Sequence, residues 1–198
     1  MDVLGFSMGS VTVARLLALG APHVRAAVLS GVGQYILKGE AFDLPKNYPV
    51  PDGLTRPFTA RAQAEAPAKL LDSAGTETEK PESPSAILVR STGGDPKVLA
   101  AVIRGAVAEP VPVDPLRRVR VPVLVLNGKA DLANQAVARL LEVIPNARSA
   151  ACDGDHHTAP WYPSFQEAVV NFFAARWPAR GAAFEGRATR SVERGRSA

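Results

Sequence analysis

The feature that most constrains the fold is a serine flanked by glycines near the start of the chain, in the run Gly5-Phe6-Ser7-Met8-Gly9. Residues 2–6 are typical of a buried strand, and apolar residues then recur at helical spacing until Gly20. A strand that turns directly into a helix bends so sharply that only glycine leaves room at the positions on both sides, and the serine backbone is strained. Such a turn places the serine oxygen at the carboxyl edge of a sheet, beside a helix N-terminus that favours negative charge.

Strand and helix patterns alternate in two separate parts of the chain. Residues 24–29 predict a second strand, residues 121–126 a strand buried on both faces, and residues 147–152 a short last strand. Helices are predicted over residues 133–144 and 164–175. This alternation predicts the α/β class, with a mostly parallel sheet flanked by helices.

The middle of the chain loses this alternation. Residues 31–113 are rich in proline and glycine and contain two weak helical patterns, at 60–72 and 95–108. We expect this segment to be a lid inserted into a core formed by residues 1–30 and 114–177. Residues 178–198 are expected to be a flexible basic tail.

Composition excludes several classes of protein. The single cysteine, Cys152, excludes a disulfide-stapled scaffold, and no apolar run approaches the roughly 20 residues that span a bilayer. The formal net charge of +4 lies in the arginine-rich residues 176–198, so we expect neither a nucleic-acid nor a membrane partner. No basic leader precedes the first strand, which favours a cytoplasmic location. Metal-ligand spacings and phosphate-binding loops are also lacking, so no metal or cofactor is expected.

A serine needs a base to act as a nucleophile, and the chain has three histidines. His23 precedes a strand and is expected to be an ordinary surface residue. His156 and His157 follow the last predicted strand, at the sheet edge where parallel sheets place their sites. Asp131 follows the strand before it and suits the orienting carboxylate, although a simple turn or helix-cap role stays open. The chain order Ser, Asp, His fits a known arrangement of these three groups.

These motifs together resemble the α/β-hydrolases, in particular the small esterase, lactonase and peroxidase-like group. The resemblance rests on four sequence blocks: Val3-Leu4-Gly5-Phe6-Ser7-Met8-Gly9; Asp114-Pro115-Leu116 with Val121-Pro122-Val123-Leu124-Val125-Leu126-Asn127-Gly128; Asp131; and Gly154-Asp155-His156 with Thr158-Ala159-Pro160. It implies an α/β-hydrolase fold with Ser7 as nucleophile, Asp131 as acid and His156 as base. His157 stays open as the alternative base. The backbone N–H of Met8 would stabilise the oxyanion.

The resemblance also implies a function. We expect a serine hydrolase that cleaves a small ester, lactone or thioester through an acyl-enzyme, while cofactor-free peroxidase or carbon–carbon hydrolase chemistry stays open. Proteins of this kind have several strands before the serine, so we expect an N-terminally truncated fold, from a misplaced start or a fragment. The alternative is an inactive or partial chain that acts at most as a binding module.

Other polar and aromatic residues near the histidine have simpler expected roles. Asp153 and Asp155 are rival carboxylates, expected to face solvent or backbone amides. Trp161 and Tyr162 could line a pocket, although structural packing is favoured. Cys152 is expected to be a small core residue, and the Met8 side chain is expected to serve packing.

Overall fold

The computed structural model describes residues 1–41, 93–107 and 109–175, together with five single positions: Thr59, Glu65, Ala68, Lys69 and Leu71. The elements with described bounds are four strands, five α-helices and three 3₁₀ turns, and Glu65, Ala68, Lys69 and Leu71 are helical as well. The strands are β1 (Asp2–Phe6), β2 (Ala26–Ser30), β3 (Val123–Gly128) and β4 (Ala147–Cys152). The helices are α1 (Met8–Ala18), α2 (Pro96–Val107), α3 (Val113–Leu116), α4 (Ala138–Val143) and α5 (Pro163–Ala174).

The four strands form one parallel sheet in the order β1-β2-β3-β4. Side chains alternate across it, as a pleated strand requires. Leu29 of β2 and Val125 of β3 face a core shared with α1, α3 and α4, whereas Val28 and Leu126 face α5 on the other side. The sheet is therefore covered on both faces, and its carboxyl edge is left to carry polar groups.

The α/β class and the parallel sheet are confirmed, and element limits move by a few residues. The second strand begins at Ala26 and ends at Ser30, and the third begins only after Pro122 and continues to Gly128, which pairs with Cys152. A proline has no N–H to donate to a sheet, which accounts for the later start.

The helix predicted over 133–144 is instead a 3₁₀ turn, Leu132–Ala136, followed by α4. The turn is capped by Asp131 and packs against Gly33, where an added Cβ would lie 2.5 Å from the Ala136 Cβ. These contacts favour the 3₁₀ turn over a continuation of the regular helix α4.

The described residues at the start and at the end of the predicted lid lie against the core that α1, α3 and α4 share with the sheet. Val32, Ile36 and Leu37 are buried there, and Leu37 pairs with Val111 in an isolated parallel bridge. The helix predicted at 95–108 is α2, but most of the one predicted at 60–72 lies outside the described residues, as do residues 176–198. The lid and tail boundaries stay predictions.

Candidate active site

The turn between β1 and α1 holds Ser7 in the geometry that the sequence predicts. Ser7 has φ 52° and ψ −118°, and no other described residue apart from glycines has a positive φ. Its N–H donates to the Ser30 carbonyl at 2.7 Å, which ties the turn to the end of β2. The buried Ser10 hydroxyl accepts from the Ser30 N–H and lies 2.7 Å from the Gly5 carbonyl. The strained serine is thus fixed by its neighbours on both sides.

The two glycines of the motif are not equivalent. An added Cβ on Gly5 would lie 2.4 Å from the Gly9 carbonyl oxygen, so only glycine allows β1 and α1 to approach so closely. An added Cβ on Gly9 would meet no atom within 4 Å. The expectation that space requires glycine on both sides is therefore right for Gly5 and wrong for Gly9.

Asp131 follows β3 in a short turn, in which its N–H donates to the Gly128 carbonyl at 3.0 Å. One carboxylate oxygen, Oδ1, accepts from the Ala133 N–H at 2.9 Å and caps the 3₁₀ turn. The other oxygen, Oδ2, lies 3.0 Å from His156 Nδ1. Asp131 therefore has both roles that the sequence leaves open, since it caps the turn and contacts the histidine. Only 4% of its surface is exposed.

His156 lies between Asp131 and Ser7. Its second ring nitrogen, Nε2, is 3.0 Å from Ser7 Oγ, and its ring lies over Phe6 with 5.3 Å between centroids. In the neutral imidazole that carries its proton on Nδ1, this N–H donates to the Asp131 carboxylate. In that tautomer Nε2 accepts from the Ser7 hydroxyl. The arrangement can draw a proton from a serine that attacks a carbonyl.

The neighbouring polar residues have other partners. The exposed His157 ring packs edge-on against His156, while Asp155 accepts from the backbone N–H groups of His157 and Thr158. Asp153 pairs with Lys129 at 2.7 Å and accepts from the Ser164 hydroxyl. The structure therefore brings His156, and neither His157 nor these two carboxylates, to Ser7 and Asp131.

Hydrogen bonds from Thr158, first from its hydroxyl and then from its backbone, hold the pKa of Asp155 below its ordinary value of 3.8. A hydrogen bond from Lys129 likewise lowers the pKa of Asp153 and raises that of the ammonium. Both carboxylates are thus held ionised within the loop that carries His156.

The loops that carry Asp131 and His156 are joined directly. The Lys129 N–H donates to the Cys152 carbonyl at 2.8 Å and the Ala130 N–H to the Gly154 carbonyl at 3.0 Å. An added Cβ on Gly128 would lie 2.4 Å from that Gly154 oxygen. Because Gly128 lacks a side chain, the two loops can approach closely enough to bring the carboxylate to the imidazole.

Three expectations about packing meet different outcomes. Cys152 is buried, as expected, and burial raises the pKa of its thiol. Trp161 is 81% exposed, so the expectation that it packs structurally is wrong, and the Met8 side chain is 39% exposed. Met8 is nevertheless the first residue of α1, where backbone N–H groups lack partners within the helix. His23 is exposed, as expected.

Sequence reasoning missed three residues at the site. Gly31, just after β2, has φ +67° and lies against both Ser7 and His156. Asn127 is buried at the end of β3 and binds the backbone beside Gly31. Burial raises the pKa of the Tyr35 phenol, and the charge of the nearby Asp131 carboxylate raises it further. The glycine and asparagine directly follow or end predicted strands, which is the only local signal that they carry.

No group of three or more histidine, cysteine, aspartate or glutamate residues in the described part of the chain could hold a metal ion. None of the helices described is long and apolar enough to cross a membrane.

Comparison with known proteins gives structural matches only. No protein-family model and no curated protein sequence matches the chain. The chain is similar to an alpha/beta hydrolase enzyme, MGS-M2, from a Medee basin deep-sea metagenome library, at 14% identity and a TM-score of 0.57, covering 94% of this chain and 67% of that one. It is also similar to the enol-lactonase from Burkholderia xenovorans, at 21% identity and a TM-score of 0.55, with 87% and 65% covered. For human thioesterase 2 the identity is 18% and the TM-score 0.51, with 87% and 70% covered.

The chain thus spans about two thirds of the length of the structures it matches. These similarities agree with the parallel sheet, the strained serine turn and the flanking helices described above. The chain therefore has the α/β-hydrolase fold.

Proposed function

We propose that this chain is a serine hydrolase that cleaves a small ester, lactone or thioester through an acyl-enzyme. The observation that carries the proposal is the unbroken contact from Asp131 through His156 to Ser7, with 3.0 Å at each step. A nucleophile, a base and a group that orients the base are the minimum that such catalysis requires. The solved structures that share the fold include an enol-lactonase and a thioesterase, which supports the choice of substrate class.

The reaction begins when Ser7 Oγ attacks the carbonyl carbon and its proton passes to His156 Nε2. Asp131 stabilises the imidazolium through the bond to Nδ1, and the Met8 N–H, at the N-terminus of α1, faces the developing oxyanion. The imidazolium returns the proton to the leaving alkoxide or thiolate, which leaves an acyl group on Ser7. Water then attacks this ester and gives a proton to His156 Nε2, and that proton passes to Ser7 Oγ as the bond from Oγ to the acyl carbon breaks and the acid leaves.

The test measures hydrolysis of a 4-nitrophenyl ester, a lactone and an acyl thioester by the full chain and three variants. Ser7→Ala and His156→Gln remove the nucleophile and the base, and we expect kcat to fall by about 10³-fold or more. His157→Gln is the matched control, because this exposed histidine packs edge-on against His156 and its described hydrogen bond goes from its backbone to Asp155, not to Ser7 or Asp131. We expect a change within about twofold.

A folded chain that hydrolyses none of the three substrates would contradict the proposal and favour the alternative of a binding module. Full activity in Ser7→Ala would also contradict it. If the unaltered chain is active and Ser7→Ala is not, the substrate with the highest kcat/KM shows which class of acyl compound the site accepts.

A further inference from the structure

Gly31 lies against two of the three groups proposed to carry the reaction. An added Cβ there would be 3.0 Å from His156 Cε1 and 3.2 Å from the Ser7 backbone nitrogen. Real Cβ atoms seldom approach other atoms so closely, so a side chain at this position would require His156 or the Ser7 backbone to move by a few tenths of an ångström. The left-handed φ of +67° is also one that glycine adopts without strain.

The Asn127 side chain fixes this backbone from the adjacent strand. Its Oδ1 accepts from the Gly31 N–H at 2.7 Å and the Val32 N–H at 3.3 Å, and its Nδ2 donates to the Val32 carbonyl at 3.0 Å. Asn127 is 1% exposed. A buried amide with these three partners holds the backbone at residues 31–32 in one place, because losing it would leave buried backbone groups unpaired.

The same segment also touches the turn that Asp131 caps. An added Cβ on Gly33 would be 2.7 Å from the Ala136 carbonyl oxygen, at the end of the 3₁₀ turn. Residues 31–33 therefore contact Ser7 and His156 at one end and the turn after Asp131 at the other. A single short backbone segment thus lies against Ser7, His156 and the far end of the turn that Asp131 caps.

We propose that residues 31–33, held by Asn127, are a positioning element that keeps the His156 ring aligned between Asp131 and Ser7. The inference rests on the proposed function for its effect on catalysis, but not for its effect on the position of the ring. Gly31 and Asn127 act through His156 and touch no substrate. A ring displaced at Cε1 moves Nε2 relative to Ser7 Oγ, and misplacement by about 1 Å slows such reactions by about 100-fold.

The first measurement uses carbon-13 and proton NMR of the histidine Cε1–H groups, of which the chain has three. In the unaltered chain we expect a nuclear Overhauser contact between the Gly31 Hα protons and His156 Hε1. In Gly31→Ala we expect the His156 signal to shift and the distant His23 signal to stay in place. The signal that is missing from His156→Gln belongs to His156. This NMR measurement does not require the chain to be enzymatically active.

The second measurement compares kcat and KM of Gly31→Ala with those of Gly39→Ala. Gly39 has a similar φ, +82°, but an added Cβ there meets nothing within 4 Å, so the variant carries the same backbone strain without the contact. We expect Gly31→Ala to lower kcat by about 10-fold or more with KM nearly unchanged, and Gly39→Ala to change neither.

Asn127→Ala provides a second, independent variant, with Asn146→Ala as its control. Asn146 also donates its side-chain amide to a backbone carbonyl, that of Arg120, but at the amino end of the sheet. We expect the His156 signal to shift and kcat to fall only in Asn127→Ala.

Absence of the Gly31–His156 contact in the unaltered chain would overturn the proposal, even if no variant folds. Equal losses of kcat in Gly31→Ala and Gly39→Ala, or an unmoved His156 signal in Gly31→Ala, would overturn it as well. A chain whose activity is absent, or does not depend on Ser7, refutes the proposed function instead, and the NMR result then decides the positioning role alone.

Discussion

At the scale of single residues, the site depends on backbone conformations that few residue types tolerate. Ser7 is held at φ 52° because its N–H is bonded to Ser30 and the neighbouring Gly5 backbone is bonded to Ser10. Strain of this kind persists only when the surrounding structure fixes it. The serine oxygen is thereby presented to His156 instead of turning into the helix.

The two motif glycines offer a test of this close approach. We expect Gly5→Ala to lower the free energy of unfolding by about 2–3 kcal/mol or more, because the new Cβ would overlap the Gly9 backbone. Gly9→Ala should instead raise it by up to about 1 kcal/mol, since alanine favours the helix and meets open space. Urea denaturation of both variants gives the values, and similar losses in the two would contradict the geometry.

Cys152 provides a residue-scale test of burial. Its thiol is buried against the Asn127 carbonyl, and burial raises the pKa above the ordinary value of 9.0, so little thiolate forms at neutral pH. We expect an aromatic disulfide reagent to modify the native chain at least about 100-fold more slowly than the urea-unfolded chain. Equal rates in the two states would show that the end of β4 is open.

At the scale of elements, the candidate site is made by loops after strands, all at the carboxyl edge of the sheet. The turn after β1 carries Ser7, the turn after β3 carries Asp131 and the loop after β4 carries His156. The segment after β2 packs among them through Gly31. Parallel strands align these loop starts without requiring them to be close in sequence.

The loop after β4 has a testable dependence on pH. Asp155 accepts from the N–H groups of His157 and Thr158, and its pKa is lowered when folded, so its ionised form stabilises the loop. This contribution is present above the unfolded pKa and is lost as the pH falls through the folded pKa.

We therefore expect Asp155→Asn to lower stability by about 0.5–1 kcal/mol at pH 7 and by less below pH 3.8. Thermal unfolding across this range measures the difference. Asp114→Asn, at a side chain that is 90% exposed, is the control. A difference that does not change with pH would contradict the role given to the Asp155 charge.

Local sequence patterns predict this part of the fold well and its packing less well. The predicted limits of β1 and β4 match both strands to the residue. The glycine–serine turn and the chain order predict Ser7, Asp131 and one of two adjacent histidines, and only the resemblance to α/β-hydrolases favours His156, whose ring the structure brings to the other two. Gly31 could not be identified in that way, because its requirement arises from contact with a histidine far along the chain. Local sequence patterns do not predict the exposure of Trp161 either, because tryptophan side chains are highly buried on average.

At the scale of the whole molecule, the described sheet is stabilised from both faces. The α5 face is built on Phe165 and Phe172, and this helix directly follows the loop that carries His156. The opposite face packs α1, α3 and α4 against β2 and β3. A change that loosens the packing on either face should therefore also displace the site residues, because they follow the ends of these strands.

Two residues of α5 test this dependence. Phe172 is 4% exposed and Val170 is 63% exposed, on the same helix. We expect Phe172→Ala to lower the free energy of unfolding by about 3–5 kcal/mol and Val170→Ala to change it by less than about 0.5 kcal/mol. Circular dichroism during urea titration measures both, and comparable effects would mean that α5 does not pack as described.

The most direct test of the central claim is the intact mass of the chain after treatment with a fluorophosphonate, followed by peptide mapping. Serines activated by a histidine form a stable adduct with this reagent, whereas ordinary serines react far more slowly. The account predicts one adduct per chain, located on Ser7, and none in Ser7→Ala. A folded chain that forms no adduct, or that is labelled equally in Ser7→Ala, would contradict the assignment of Ser7, His156 and Asp131 as a working hydrolase site.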